Sequence, residues 1–240
     1  MTGTLSHLGI AMLAFIASHL VMSSAPIRDP LLRKIGERGF MGIYSLVAAA
    51  IIYWVVAAYN AAPDVEYWQP HTAFKHLSLS LMIVVCIFIV ASLTPKNPTM
   101  AGASANQLRD GPRGIFRITR HPMMWGVGLW GVLHVLANGD VASLIFFGGF
   151  GVLAIFGTVL IDRRKARTHG AAWLVYANQS SHIPFAAILA KRTKFSAKEI
   201  GWLPVILGIG LYLVLLILHE TVFGIAPMPW VSGGISGMFD

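Results

Sequence analysis

The groups best suited to chemistry in this 240-residue chain are its nine histidines. The most suggestive of them follow a short basic stretch. Arg120-His121-Pro122 leads into an apolar run that carries His134 near its far end. An ionisable side chain at lipid depth costs free energy, so its presence points to function. His19 lies near the end of the first apolar run, with Phe15, Met12 and Leu8 on its face at helical spacing. His76 opens the third run, either facing inward or sitting at the membrane interface. The single cysteine, Cys86, excludes an intrachain disulfide and a cysteine-pair metal centre. Zinc wants three or four converging ligands, and no His-x3-His pair is present. Imidazoles scattered over several helices suit haem, held between helices of a bundle. No Ser or Cys stands in a nucleophile motif. Gly126-Val127-Gly128-Leu129-Trp130-Gly131 matches a dinucleotide fingerprint by letters only. It follows no strand, so that reading fails. Met124, Gly128, Gly131 and then His134 or Val135 share a helical face on which a flat group or another helix can approach closely.

The elements that position these residues are apolar. The chain is 56% hydrophobic and 12% charged, with a mean hydropathy of +0.68. A soluble domain carries about twice that charged fraction. Six runs approach the ~20 residues needed to cross a bilayer: 5–22, 40–59, 77–93, 121–137, 141–161 and 201–219. The expected fold is all-α, a polytopic bundle of about six transmembrane helices forming a single domain over 1–240. No Lys or Arg precedes Arg28, and Ala17-Ser18-His19 is a poor cleavage site, so the first run reads as a retained helix.

Loop charge alternates. Loops 23–39, 94–120 and 162–200 hold four, five and eight Lys/Arg; loops 60–76 and 138–140 hold one and none, and the tail after 219 holds none. This is the positive-inside pattern, with both termini outside, as in a bacterial inner membrane protein. The net charge of +8 therefore sets orientation and excludes nucleic acid as the partner. Residues 31–39 read as a short amphipathic piece on the inner surface. Arg113–Arg120 is expected to lie on that surface with its arginines snorkelling to headgroups. The stretch from Gly170 to Tyr176 reads as a helix along the inner face, and the aromatic loop Pro63–His76 as a cover over the outer end.

Several short motifs, weak singly, become specific in their order. They are Phe15-Ile16-Ala17-Ser18-His19, Ile35-Gly36-Glu37-Arg38, Ile118-Thr119-Arg120-His121-Pro122, His134, Asp162-Arg163-Arg164, Ile183-Pro184-Phe185-Ala186-Ala187-Ile188, and His219 with Phe223-Gly224 and Pro227. Through them the chain resembles the NnrU family along nearly its whole length. That family is similar to 15-cis-zeta-carotene isomerase, a haem b membrane enzyme. The resemblance implies haem b with His19 and His134 as axial ligands to the iron, and carotenoid cis–trans isomerisation on a bilayer-dissolved substrate. It implies that His121, His76 and Arg120 stand beside the cofactor or act as alternates, Arg120 as a partner for a haem propionate. The isomerase has a Cys three residues before the second ligand, where this chain has Gly131. The family name implies an alternative, a non-enzymatic haem protein linked to nitrite and nitric oxide metabolism in denitrification. A more distant resemblance, to isoprenylcysteine carboxyl methyltransferases, rests on Arg-His-Pro and a later Gly170…Tyr176…Pro184 and implies S-adenosylmethionine. That family has an acidic pair where this chain has Asp162-Arg163-Arg164. By depth alone His19 pairs with His121, and His134 with His7, His76 or His219, because thirteen residues of straight helix separate His121 from His134 by roughly 20 Å.

Overall fold

Backbone amides in lipid have no water to bond, so an apolar run must close its hydrogen bonds within itself. In the computed structural model, which describes residues 3–94, 97–99 and 108–228, the runs do so as helices. In chain order these are α1 (Leu5–Ser23), α2 (Ala25–Ala61), α3 (Thr72–Leu93), α4 (Ile115–Ile118) and α5 (Pro122–Asn138). They continue as α6 (Val141–His169), α7 (Ala171–Gln179), α8 (Ala186–Leu189), α9 (Ala197–Ile200) and α10 (Trp202–Phe223). No strand is present among the described residues, so the protein is an all-α, polytopic membrane protein. Helices α1, α2, α3, α6 and α10 are long and apolar enough to span a bilayer. The fourth run, α5, has 17 residues, about 25 Å at the helical rise, a little short of the ~30 Å hydrocarbon core.

Local sequence sets the ends. Thr4 caps α1, its side chain accepting from the His7 N–H. Asp140 caps α6 by accepting from the Ser143 N–H at 2.7 Å. Pro122 opens α5 where a missing N–H costs nothing. Within α2, Gly36 has φ 72° and ψ 174°, which breaks the helix into an amphipathic 25–35 and a long 37–61. The piece expected over 31–39 instead starts at Ala25, so Pro26 and Pro30 do not break it, and it ends at Gly36. The α5–α6 turn is clamped from above by the aromatic loop: Tyr67 and Trp68 donate N–H bonds to the Gly139 carbonyl, and Val141 donates to the Val65 carbonyl. Gly139 has φ 79°, and a Cβ there would collide with the Trp68 carbonyl.

Helix α6 is the hub, packed against α1, α5 and part of α2. Lipid supplies no hydrophobic drive between helices, so close packing through small residues must hold them. Gly131 meets α6 so closely that a Cβ would fall 2.5 Å from the Phe147 carbonyl oxygen, and Gly128 faces Ala154. The glycine face of α5 is thus occupied by a helix. Gly126 faces Ile89 of α3, and Gly208 of α10 packs on Ile87 of α3. The main core joins Leu8, Met12, Phe15, Val55, Phe146 and Phe147. Helix α10 leaves Leu203, Ile206, Leu213 and Ile217 exposed, an apolar face suited to lipid.

Candidate functional site

Proline keeps the residue before it out of the helical region. His121 has φ −124°, ψ 53°, and Thr119 is extended at φ −152°, ψ 144°. This short extended stretch pairs with residues 181–185: Arg120 N–H donates to the Ser181 carbonyl at 2.9 Å, and Phe185 N–H to the Ile118 carbonyl at 2.8 Å. The Thr119 hydroxyl donates to the His182 carbonyl at 2.7 Å. The Trp125 indole N–H donates to the same carbonyl at 2.8 Å. These bonds bring His182 against His121, and the inner end of α6 adds Thr158 and Asp162.

The result is a dense polar cluster. His121 Nε2 lies 2.7 Å from Asp162 Oδ1. Arg120 Nε lies 3.0 Å from both Asp162 oxygens, and Arg120 Nη2 also bonds Oδ2. The His121 side chain is fully buried, while those of Arg120 and Asp162 are 14% and 19% exposed. A carboxylate gripped by arginine can only accept, so His121 carries its proton on Nε2 and a lone pair on Nδ1. That Nδ1 is buried without a partner, and so is the Tyr176 hydroxyl; among the described residues no other buried side-chain N or O is left so. Burial pushes the Tyr176 phenol well above its usual range. The Thr158 hydroxyl donates to the Ile155 carbonyl at 2.5 Å. It therefore accepts from His182 Nε2, 3.1 Å away, leaving the His182 Nδ1 lone pair free of that contact. The His121 and His182 rings meet edge to face with centroids 5.7 Å apart. Burial lowers the His182 pKa below its ordinary value.

His19 and His134 lie elsewhere, in an aromatic layer. His19 Nδ1 is 2.9 Å from the Phe15 carbonyl, and His134 Nδ1 is 2.9 Å from the Trp130 carbonyl. Each ring thus donates to its own helix one turn back and presents Nε2 as a lone pair. Metal-ligating histidines are commonly oriented this way, so the donor chemistry fits haem iron. Between them stand Phe15, Phe150 and Trp130, in ring contact from α1 through α6 to α5. His134 stacks on Phe147, with centroids 4.5 Å apart. Phe147 is one turn outward of Phe150, and His19 is one turn inward of Phe15, which offsets the two histidines by roughly 10 Å in depth. For both to ligate one iron, that offset would have to close and the aromatic layer would have to part. His134 lies within electrostatic range of His219, the kind of neighbour that depth alone suggests. His19 packs edge-on against Tyr44 of α2, and His121 pairs with His182.

The other candidates separate. His76 is exposed at the start of α3. His7 accepts from the Trp54 indole N–H at 2.7 Å. Arg120 does not snorkel, being bound by Asp162, so a propionate would have to compete with that carboxylate. Nor does Arg117, which pairs with Glu199 at 2.7 Å. Other parts of the 94–120 loop, 95–96 and 100–107, lie outside the described residues. Asp162 was legible in the sequence as part of a motif, but His182, just ahead of the Ile183-Pro184-Phe185 motif, was missed, and neither was legible as a site. The signal available was topological: residues 121, 162 and 182 all fall on the inner side of the charge pattern.

Two curated relatives are both 15-cis-zeta-carotene isomerase, chloroplastic. The Arabidopsis thaliana protein is 28% identical over 76% of this chain and 51% of its own length. The Zea mays protein is 28% identical over 79% of this chain and 53% of its own. The chain therefore spans about half the length of the curated relatives it matches, and neither is a methyltransferase. No solved structure matches. Residues 7–227, nearly the whole chain and all of the motifs above, match the family described as NnrU protein, and the chain belongs to the NnrU family.

Proposed function

We propose that this protein is an integral membrane isomerase that acts on a carotenoid-class polyene dissolved in the bilayer, with haem b as cofactor, in a bacterial inner membrane. The observation that carries the reaction class is the match over three quarters of the chain to two proteins named 15-cis-zeta-carotene isomerase. His19 and His134 are the residues proposed to hold the haem, by virtue of their free Nε2 atoms and anchored Nδ1 atoms. When bound, reduced haem would supply electron density that eases rotation about a double bond, with no net redox change. The chain's own part is physical. Phe15, Trp130, Phe147 and Phe150 make a dry, aromatic layer that excludes water and offers ring faces to a flat polyene.

The test has two arms. Absorption spectra of the purified protein, oxidised and dithionite-reduced, should show a Soret band and a sharp reduced α-band. Expression in a host that accumulates the 15-cis carotene should shift it to the trans isomer. Absence of a Soret band under ample haem supply removes the cofactor. A haem spectrum without conversion favours the non-enzymatic role in nitrite and nitric oxide metabolism.

A further inference from the structure

The inner-end cluster holds more polar chemistry than membrane insertion requires. His121, Asp162 and His182 each offer one ligand atom, and those atoms lie within 4.8 Å of one another. His121 is buried, and the other two are half-buried. Buried polar atoms are normally bonded, so those left over call for an explanation. Both leftovers among the described residues, His121 Nδ1 and the Tyr176 hydroxyl, belong to this neighbourhood: Tyr176 lies within electrostatic range of Arg120 and Asp162.

We infer that His121, Asp162 and His182 form a binding site for one divalent transition-metal ion, through two imidazoles and one carboxylate. Two nitrogens and one oxygen suit zinc or ferrous iron and leave a coordination position open. Ligand atoms around tetrahedral zinc stand about 3.3 Å apart when bonds are ~2.0–2.1 Å. The cluster therefore contracts by roughly 1.5 Å at most, chiefly by rotation of the half-buried His182. Binding exchanges the His121–Asp162 hydrogen bond for two bonds to the ion. The displaced imidazole proton moves to His121 Nδ1, the nitrogen that has no partner. Arg120 stays on Asp162 Oδ2, while Oδ1 faces the ion. The arginine's charge opposes a cation held by charge alone, so the site selects a metal bound through imidazole. Calcium and magnesium, which need several oxygens, are excluded.

This site uses neither His19 nor His134 and stands or falls apart from the haem. The test is metal titration of the full chain in detergent after treatment with a chelator. Co²⁺ is the probe, read by its visible d–d absorption and by mass spectrometry of bound metal. Haem iron is counted separately as the pyridine haemochrome. The expected result is one equivalent of non-haem Co²⁺, displaced by Zn²⁺. His121→Ala and His182→Ala should each weaken binding at least about a hundredfold, while His19→Ala and His134→Ala retain the full equivalent. If His121→Ala fails to fold, the half-buried His182 decides. A wild-type protein that binds no Co²⁺ above the detergent blank overturns the inference. So does a folded His182→Ala variant that binds like wild type.

Discussion

Two groups of histidines sit at two levels of one bundle, and they are held in opposite ways. His19 and His134 lie among aromatic rings and hydrogen-bond only within their own helices, to the Phe15 and Trp130 carbonyls and, for His19, the Ser18 hydroxyl. His121 and His182 lie where three separate chain segments converge, tied by Arg120, Asp162, Thr119, Trp125 and Thr158. The first pair carries no hydrogen bond between helices and joins them only through ring contacts with Tyr44 and Phe147. The second holds tertiary structure together. A histidine kept where it contributes little to folding is the better candidate for ligating a cofactor. A histidine inside a charged network has a folding role whatever else it binds.

The largest effect should come from the network. Asp162→Ala leaves Arg120 and buried His121 without their shared partner. Breaking a buried ion pair from one side typically costs about 3–5 kcal/mol. Equilibrium unfolding in detergent should show that loss. A change under about 1 kcal/mol would mean that water replaces the carboxylate and that the network is not structural.

The aromatic level should behave in the reverse manner. His19→Ala and His134→Ala should each weaken haem retention at least about a hundredfold, equivalent to about 2.7 kcal/mol of binding. The unfolding midpoint of the apoprotein should barely move. Haem titration followed at the Soret band gives the first quantity, and a thermal scan the second. If one replacement abolishes the Soret band and the other leaves it intact, the iron has a single histidine ligand. The roughly 10 Å offset then needs no adjustment. If His121→Ala alone removes haem, the proposed division between the two levels collapses.

The fold was far more legible than the site, for a physical reason. Each span is encoded locally, by an apolar run and by charges at its ends. The break at Gly36 follows from its φ of 72°, a conformation for which glycine is suited. The site depends on which loops meet, and hydropathy is silent on that. Arg120 and Arg117 look like snorkelling residues in the sequence, because their partners Asp162 and Glu199 are 42 and 82 residues away. The glycine face of α5 could have received a flat cofactor or a helix; only the α6 side chains and carbonyls around Phe147 decide for the helix.

That decision is itself testable. A Cβ at Gly131 meets the Phe147 carbonyl and the backbone of Gly151, neither of which can rotate away. Gly131→Ala should therefore separate α5 from α6 slightly and cost about 1–3 kcal/mol, the usual range for overpacking. Gly210, with open space around its Cβ position, is the control, and Gly210→Ala should be neutral or mildly stabilising, within about 1 kcal/mol. Equal effects at the two positions would show that Gly131 is not a packing residue.

The smallest effect belongs to the water-exposed edge of the inner end. Arg117 bonds Glu199 through Nε at 2.7 Å and Nη2 at 2.9 Å, and the Gly114 N–H donates to the same carboxylate at 3.0 Å. These donors, Arg117 first, hold the Glu199 carboxyl below its usual range. A folded-state pKa below the unfolded value means that the pair stabilises the protein above the unfolded glutamate pKa, about 4.3. The contribution is lost as pH falls through the folded-state value. At 25% and 35% exposure the two side chains are well hydrated, so Glu199→Gln should cost only about 0.2–1 kcal/mol at neutral pH. The wild-type and variant unfolding curves should converge only once pH falls below the folded-state Glu199 pKa, which lies under the unfolded value. High salt should shrink the gap at neutral pH, because exposed pairs are screened within about 10 Å at 0.1 M. The Asp162 effect, set in a cluster with one fully buried member, should hardly respond to the same salt. A salt-insensitive Glu199 and a salt-sensitive Asp162 would reverse the assignment of which ion pair is structural.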